Sequence, residues 1–462
     1  MTETLASLVA AHQGGTARPG DTVARSFARI RAHNDPAVFI SLRDEAIAVA
    51  EAKALASVDP RGCPLYGVPV AVKDNIDVQG LPTTAGCPAF AYEPAKDATV
   101  VQRLRCAGAI VIGKTNLDQF ATGLVGVRSP YGVPRNVISP NCIPGGSSSG
   151  SAVAVAAGLV PLALGTDTAG SGRVPAALNN IVGLKPSRGL ISTAGVVPAC
   201  RSLDCISLLT LTTDDAWIAL TALAGIDSAD AYSRALPVEP ISSFPNGVRL
   251  GVPETGQRVF FDDHAAANAY DRAIAHTGAL GARIVEIDMA PFYETARLLY
   301  EGPWVAERTI VVRRLLDSSP DSIHPVTRQI IAQGARLSAI DAFLAFYRLE
   351  ELRRVSDAVF CTIDALLLPT VPTVYTVEQV LADPIKLNSR LGIYTSFVNL
   401  LDLCALALPS SIREDGLPFG VTLIAPAGRD TYVASIGRAL HANAKLPLGA
   451  LGIALAGRAG RK

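Results

Sequence analysis

The sequence predicts an α/β fold: a single large domain in which a central mixed, largely parallel, twisted β-sheet is flanked by helices. Short apolar runs alternate with helical patterns from residue 67 onward, which is typical of parallel sheets covered by helices. Of the 462 residues, 49% are apolar and 18% are charged, which is enough for a sizeable core. Because no internal repeat or low-complexity linker divides the chain, one domain is favoured over several.

The elements follow in order along the chain. Residues 3–58 are Ala-rich with helical periodicity, interrupted at Pro19-Gly20 and Asp35-Pro36. Later apolar runs predict strands at 67–73, 109–116, 160–167, 364–373 and 418–426. Periodic segments predict helices at 97–108, 152–157 and 429–444, and 262–360 is mainly helical in pattern. Residues 129–150 contain too much Pro, Gly, Ser and Asn for regular structure.

These patterns divide the domain into three parts. Residues 1–60 form an N-terminal helical segment of the same domain and a candidate dimer contact. Residues 61–450 form the main body, and 451–462 form a C-terminal tail whose AGRAGRK sequence we expect to be frayed.

Charge and cysteine content exclude several classes of protein. Basic and acidic residues number 41 each, which argues against a nucleic-acid partner. The eight cysteines lack a CxxC pair or a Cys/His cluster, which predicts free, mostly buried thiols in a reducing compartment and no metal site. No signal peptide and no apolar run of about 18 residues occur, so we expect a cytoplasmic protein without a membrane partner.

The loop GGSSSGS, residues 145–151, has three interpretations. A phosphate-binding loop would need Lys-Ser or Lys-Thr after the last glycine, where Ser151-Ala152 stands instead. Residues 146–150 match the G-x-S-x-G elbow of serine hydrolases, yet Pro140 and Pro144 break the strand that should precede it. The remaining interpretation is a loop with a helix-capping serine.

Two further segments bear on the choice among these three interpretations of the loop. Residues 70–86 place Lys73 at the end of a strand, and residues 164–186 place Ser171 behind Thr-Ala-Gly, where consecutive N–H groups could meet one oxyanion. None of the six histidines lies in a sequence context typical of a catalytic base. A lysine can be the general base instead if its pKa falls by roughly 3 units, which corresponds to about 4 kcal/mol of free energy against the charged form. Burial with hydroxyl partners and no carboxylate contact would achieve this, since alternation along the strand points Asp74 away.

Together these motifs resemble the amidase signature family. VKDNI, GGSSSGS, GTDTAGSGR and GLKPSRG occur in the family's order over residues 60–210. The resemblance implies that Ser171 is the nucleophile, that Ser147, after a cis peptide bond, is the bridging serine, and that Lys73 is the base. It also implies an oxyanion hole and supporting side chains, namely the N–H groups of Thr168, Ala169, Gly170 and Ser171, and the side chains of Ser148, Asp167 and Arg173.

Residues 120–132, 172–207 and 413–426 resemble the allophanate hydrolases of this family more closely. This implies hydrolysis of the amide C–N bond of allophanate, a small anion, with release of ammonia in urea or s-triazine nitrogen catabolism. It places Tyr300 and Arg308 on the substrate carboxylate, and Gly123 on the substrate through its backbone. On one ideal helix, positions i and i+8 lie about 80° apart and would share one broad face, with Gly302-Pro303 as a point where the helix can bend. The resemblance also implies a homodimer and no cofactor. The family's usual further C-terminal domain is expected to be absent, since the sequence stops at Lys462.

Two alternatives remain open. The chain could be another amidase signature enzyme, either a malonamidase-like amidase or the amidase subunit of an amidotransferase. It could also be an inactive homologue that acts as an interaction module, although intact Lys73, Ser147 and Ser171 argue against this.

Overall fold

The computed structural model describes residues 3–452. Within them lie sixteen α-helices: α1 Leu5–Gln13, α2 Pro19–His33, α3 Glu45–Ala54, α4 Thr99–Cys106, α5 Ser149–Ala156, α6 Arg173–Leu178, α7 Thr213–Leu223, α8 His264–Ala279, α9 Ala290–Glu301, α10 Trp304–Ser318, α11 Pro325–Ile331, α12 Ala339–Thr362, α13 Val377–Ala382, α14 Lys386–Leu391, α15 Phe397–Leu400 and α16 Asp430–Ala444. Residues 453–462, which make up most of the tail expected to be frayed, lie outside the described residues.

The same described range contains eleven strands: β1 Phe39–Leu42, β2 Pro69–Lys73, β3 Ile110–Thr115, β4 Leu162–Asp167, β5 Val182–Lys185, β6 Cys205–Thr210, β7 Arg249–Pro253, β8 Arg283–Ile287, β9 Ala365–Pro369, β10 Leu403–Ile412 and β11 Pro418–Pro426. All of them form one sheet in the order β1-β3-β2-β4-β6-β5-β10-β11-β9-β7-β8. The single α/β domain with a central mixed sheet is therefore confirmed.

The sheet is less parallel than the sequence suggested. Among the described strands, four neighbouring pairs are parallel, β2·β3, β2·β4, β7·β8 and β7·β9, and the other six are antiparallel. The longest pair, β10·β11, is joined by residues 413–417. So short a connection can only reverse the chain, whereas parallel neighbours need a long crossover, and helical spacing alone does not reveal which occurs.

The neighbouring strands β3, β2 and β4 are buried along their whole length, which accounts for their continuous apolar runs. Helix α5 packs on this part of the sheet and is itself fully buried, which accounts for the Ala and Val residues that follow its first turn. Because β2 and β4 are parallel neighbours, their carboxyl ends at Lys73 and Asp167 lie at the same edge of the sheet.

The described part of the N-terminal segment contributes one strand to the sheet, so the segment is not entirely helical, contrary to the sequence prediction. Residues 39–42 form β1, which pairs with β3 and closes one edge of the sheet. Leu5, Val23 and Phe27 are buried against the rest of the chain. A four-residue strand between helices gives too little periodicity to be found from sequence.

All eight cysteines are free, and six of them are buried, which confirms the expectation from their spacing. Within residues 3–452 no single helix is long and apolar enough to cross a membrane. Residues 325–336 and 339–362 reach that length and composition only as a pair, which is bent by 98°.

Candidate active site

The candidate site lies at the carboxyl edge formed by β2 and β4. Lys73, the last residue of β2, is fully buried, and its Nζ lies 2.8 Å from Ser147 Oγ and 2.8 Å from Thr166 Oγ1. Thr166 stands near the end of β4. The structure therefore brings the predicted lysine to the predicted bridging serine, although 74 residues separate them in the chain.

The surroundings of Lys73 favour its neutral form. Burial lowers the pKa of Lys73 to about 7, against the opposing influence of the carboxylates of Asp118, Asp204 and Asp167. Its hydrogen-bond partners are both hydroxyls, and Asp74 pairs with Lys114 instead. The expectation of a buried strand-end lysine with hydroxyl partners and no carboxylate contact is confirmed.

The glycine–serine loop presents Ser147 to this lysine. The peptide bond between Gly146 and Ser147 is cis, the geometry that the family resemblance implies. Ser148 N donates to Ser171 O (3.2 Å), and Ser148 Oγ donates to Thr166 O (3.3 Å). The helix α5 begins at the next residue, Ser149. The loop thus holds two segments of the site together, with Ser147 towards the lysine.

Ser171 is the last residue of a short loop, residues 168–171, that follows β4. Its Oγ donates a long hydrogen bond to Gly123 O (3.4 Å), and within the described residues it has no hydrogen bond to Ser147. Gly123 and the predicted nucleophile are therefore in direct contact.

The N–H groups of this loop differ in availability. Those of Thr168, Ala169 and Ser171 have no hydrogen-bond partner within residues 3–452. The fourth predicted donor, Gly170 N–H, donates to Asp167 Oδ1 (2.9 Å). Three N–H groups, and not the four expected, are thus free to bind an oxyanion in this structure, because the carboxylate that braces the loop uses the remaining one.

Asp167 and Arg173 brace the loop from beneath. Arg173 Nε and Nη2 each lie 2.9 Å from a carboxylate oxygen of Asp167, and both side chains are fully buried. Burial alone would raise the pKa of Asp167, but the Arg173 guanidinium holds it below its ordinary value. This bidentate ion pair agrees with a supporting role for both residues.

Tyr300 and Arg308 lie on two different helices, which corrects the expectation of one shared face. Helix α9 ends at Glu301 and α10 begins at Trp304, since Gly302 is extended and Pro303 is the N-cap of the next helix. The two side chains still meet, with the guanidinium carbon 5.3 Å from the centre of the tyrosine ring.

Some of the hydrogen-bond donors of the Arg308 guanidinium have no partner. The side chain is buried, and its Nη1 donates to Thr122 Oγ1 (2.9 Å) and Ala121 O (3.4 Å). Its Nε and Nη2 have no hydrogen-bond partner in the described part of the chain. Thr122 is the neighbour of Gly123, which contacts Ser171, so Arg308 is connected to the predicted nucleophile through two adjacent residues.

The sequence did not single out several residues of the site. Thr166 lies inside the motif GTDTAGSGR, one position before the end of β4. That position at the carboxyl end of a strand is the sequence feature that could have identified it. Thr395 Oγ1 donates to Ala169 O (2.7 Å) and Asn399 Nδ2 to Asp167 O (2.8 Å). These two come from more than 220 residues downstream, and no local pattern marks them.

Comparisons with known proteins identify relatives of this chain. The model of the Amidase family matches residues 21–433. The urea amidolyase of Saccharomyces cerevisiae is 50% identical over 368 residues, which are 78% of this chain and 20% of that protein. The solved allophanate hydrolase of Kluyveromyces lactis superposes with a TM-score of 0.91 at 42% identity, covering 97% of this chain and 75% of that one.

A third relative carries a different name. It is a subunit of the glutamyl-tRNA(Gln) amidotransferase of Symbiobacterium thermophilum, 38% identical over 404 residues, which are 81% of this chain and 82% of that protein. By contrast, the chain spans only about a fifth of the length of the urea amidolyases that it matches.

Proposed function

The chain belongs to the amidase signature family, and we propose that it hydrolyses the amide C–N bond of allophanate and releases ammonia. The observation that carries the substrate is the buried guanidinium of Arg308, whose Nε and Nη2 are unpaired beside the candidate nucleophile. A buried cation with two free donors fits a small planar carboxylate, and allophanate joins such a carboxylate to an amide. The names and similarity of the urea amidolyase and the allophanate hydrolase support the same substrate.

In the proposed mechanism Ser171 attacks the amide carbon. Its hydroxyl, which donates to Gly123 O in the resting structure, rotates towards Ser147, and Ser147 passes its own proton to neutral Lys73. The free N–H groups of Thr168, Ala169 and Ser171 bind the oxyanion that forms. The proton returns to the leaving nitrogen, which departs as ammonia.

Water then attacks the acyl-enzyme, with the same serine–lysine pair as base. The products of one turnover are ammonia and N-carboxycarbamate, so one water is consumed for each amide bond broken. Lys73 supports this cycle because a pKa of about 7 lets it accept and return a proton near neutral pH.

Arg308 and Tyr300 bind the carboxylate in this proposal, with Gly123 contributing through its backbone. The tyrosine ring stacks on the guanidinium and keeps it oriented without using its hydrogen bonds. Gly123 O already contacts Ser171 Oγ, so a substrate held there lies beside the nucleophile. Ser148, Asp167 and Arg173 keep the loops in place.

We include in the proposal a cytoplasmic homodimer that takes part in urea or s-triazine nitrogen catabolism. The eight free cysteines support a reducing compartment. Helix α12 carries four apolar side chains that are each more than half exposed, namely Ile340, Phe343, Leu344 and Tyr347. Such a surface supports a second copy of the chain as partner. A dimer contact through residues 1–60 stays a prediction.

Ammonia release from a panel of amides tests the proposed substrate. Allophanate, malonamate, glutamine and simple amides are offered to the purified chain and to Ser171→Ala. We expect turnover with allophanate above all others and none in the variant, which should unfold at an unchanged temperature. Equal turnover of allophanate by Ser171→Ala would refute the nucleophile.

Glutamine in the same panel tests the second candidate, the amidase subunit of an amidotransferase. The 38% identity to one such protein over most of both chains favours it. A clear preference for glutamine, dependent on added partner subunits, would replace allophanate with this function.

A second experiment examines the cation. Arg308→Gln should raise KM for allophanate about 10- to 100-fold and leave a neutral amide nearly unaffected, since only the charged substrate loses its partner. An equal effect on both substrates would remove Arg308 from the carboxylate site.

A further inference from the structure

Asp204 gathers hydrogen bonds from two segments of the site. The hydroxyl of Thr168 donates to its Oδ1, as does Cys200 N–H (3.2 Å), and Ala199 N–H donates to its Oδ2 (2.8 Å). The side chain lies just before β6 and is buried. One carboxylate thus holds the first residue of the 168–171 loop and the start of the 199–203 segment.

The 199–203 segment in turn contacts the helix that carries Arg308. Cys200 Sγ donates to Trp304 O (3.4 Å) at the start of α10. Ser202 N donates to Glu307 Oε2 (2.9 Å), and the Ser202 hydroxyl donates to the other oxygen of the same carboxylate. Asp204 therefore stands between the loop with the free N–H groups and the helix with the free guanidinium.

We infer that the ionised carboxylate of Asp204 is a positioning residue for amide hydrolysis, which fixes the oxyanion-binding loop relative to Arg308. The inference rests on the proposed function, because it needs Ser171 as nucleophile. Three donors meet the two oxygens of this side chain, and only a carboxylate accepts them all. An amide offers one acceptor oxygen and would turn its own N–H₂ towards a donor.

Ionisable groups lie on two sides of Asp204. The amine of Lys73, the guanidinium of Arg308 and the thiol of Cys200 are its neighbours within the site. On its other side it borders a surface cleft whose charged residues are Asp77, Lys96, Asp97, Arg201 and Asp230. Burial raises the pKa of Asp204 to about 6, although its three hydrogen bonds and the Arg308 charge oppose this.

Two protonations should therefore limit the reaction in acid. Below about pH 7 Lys73 becomes an ammonium and cannot accept a proton. Below about pH 6 Asp204 becomes neutral and one of its donors loses its acceptor. Hence the logarithm of the rate should rise more steeply with pH where both groups titrate, below about pH 6, than where Lys73 alone does.

The test measures how fast an alkyl fluorophosphonate modifies Ser171, followed by mass spectrometry of the intact protein between pH 5 and 9. This probe traps an activated serine and places a phosphoryl oxygen where the oxyanion would lie, so it requires no knowledge of the substrate. Asp204→Asn should lower the maximal labelling rate about 10- to 100-fold. Its acid limb should keep slope 1 throughout and move to lower pH, since the Asp204 charge stabilises the Lys73 ammonium.

Asp215 provides a matched control. It is also buried, and burial raises its pKa to about 6 as well, but it lies in α7 and accepts Ala6 N–H, away from the site. Asp215→Asn should label like the unaltered protein at every pH. Identical profiles for Asp204→Asn and Asp215→Asn would overturn the inference.

A second pair of variants covers the case in which Asp204→Asn does not fold. Thr168→Val removes the hydroxyl that reaches Asp204 and should slow labelling, whereas Thr168→Ser keeps it and should restore the rate. Equal rates for these two would also overturn the inference. Lack of Ser171 labelling in the unaltered protein would refute the proposed function and the inference together, while labelling without allophanate turnover would refute the substrate alone.

Discussion

Lys73 and Lys114 lie on adjacent strands and are both fully buried, yet their partners differ. Lys73 ends β2 and contacts the hydroxyls of Ser147 and Thr166. Lys114 stands one position before the end of β3, and its Nζ lies 3.2 Å from Asp74 Oδ1 and 3.0 Å from Thr83 Oγ1. Burial lowers the pKa of both lysines, but at Lys114 the paired carboxylate opposes it directly.

The comparison shows that burial alone does not make a lysine a base. A desolvated ammonium is stable when a carboxylate lies against it, as at Lys114, and the pair then serves the fold. Where only hydroxyls are in contact, as at Lys73, burial lowers the pKa to about 7, so a substantial fraction of the amine is neutral near pH 7 and can accept a proton. Consecutive positions, Lys73 and Asp74, face opposite ways along the strand and so separate the two environments.

The largest expected difference between the two lysines is in activity. Lys73→Met should lower kcat/KM about 10³- to 10⁴-fold, because methionine fills the space without a basic lone pair. The melting temperature should change little, since no charge is left unpaired. Ammonia release and thermal unfolding measure both effects. Lys114→Met is the matched control, and an equal activity loss in a folded Lys114→Met protein would contradict the distinction.

Stability should show the reverse order. Lys114→Met leaves the Asp74 carboxylate buried without its cation and should lower the free energy of unfolding by about 3–5 kcal/mol. Urea denaturation followed by tryptophan fluorescence measures this. Adding Asp74→Asn should recover part of the loss, because the unpaired charge is then removed. Purely additive losses would show that the two side chains do not act as a pair.

A third variant gives Lys73 the kind of partner that Lys114 has. Thr166→Asp places a carboxylate where a hydroxyl now lies 2.8 Å from Nζ and should raise the pKa of Lys73 by about 1–3 units. Since the base must be neutral, the rise of kcat/KM with pH should move from about 7 to higher pH by the same amount. Thr166→Asn is the uncharged control, and a shift of equal size there would rule out charge as the cause.

The smallest effect concerns the hydroxyl beside Lys114. Thr83→Val removes one of its contacts and one donor to Asp77, and should cost about 1–2 kcal/mol of unfolding free energy. Activity should stay within twofold, because Asp74 still pairs with Lys114. Denaturation and steady-state kinetics on the same preparation measure the two quantities, and a tenfold activity loss would connect this cluster to the chemistry.

The features that could be predicted from the sequence are those that depend on residues close together in the chain. The strand ending at Lys73, its separation from Asp74 and the strand β11 at residues 418–426 follow from apolar runs and side-chain alternation. Motif resemblance placed Ser147 and Ser171 in segments that the structure brings into contact through Ser148 N and Ser171 O.

Other features depend on contacts that no local pattern records. The break between α9 and α10 follows from an extended Gly302, and the bond of Gly170 N–H to Asp167 depends on the fold of a tight loop. The excess of antiparallel pairs follows from how distant strands meet, as when β10 joins β5. These features depend on tertiary contacts, which short stretches of sequence do not determine.

The two downstream side chains that hold the 168–171 loop have a consequence for synthesis. Thr395 and Asn399 bind the backbone of residues 169 and 167, although the motifs of the site end near residue 210. On the ribosome, a nascent chain would carry Lys73 and its proposed nucleophile, Ser171, long before it carried the residues that secure the loop. Reactivity at Ser171 would therefore arise late in translation, after nearly four hundred residues have been made.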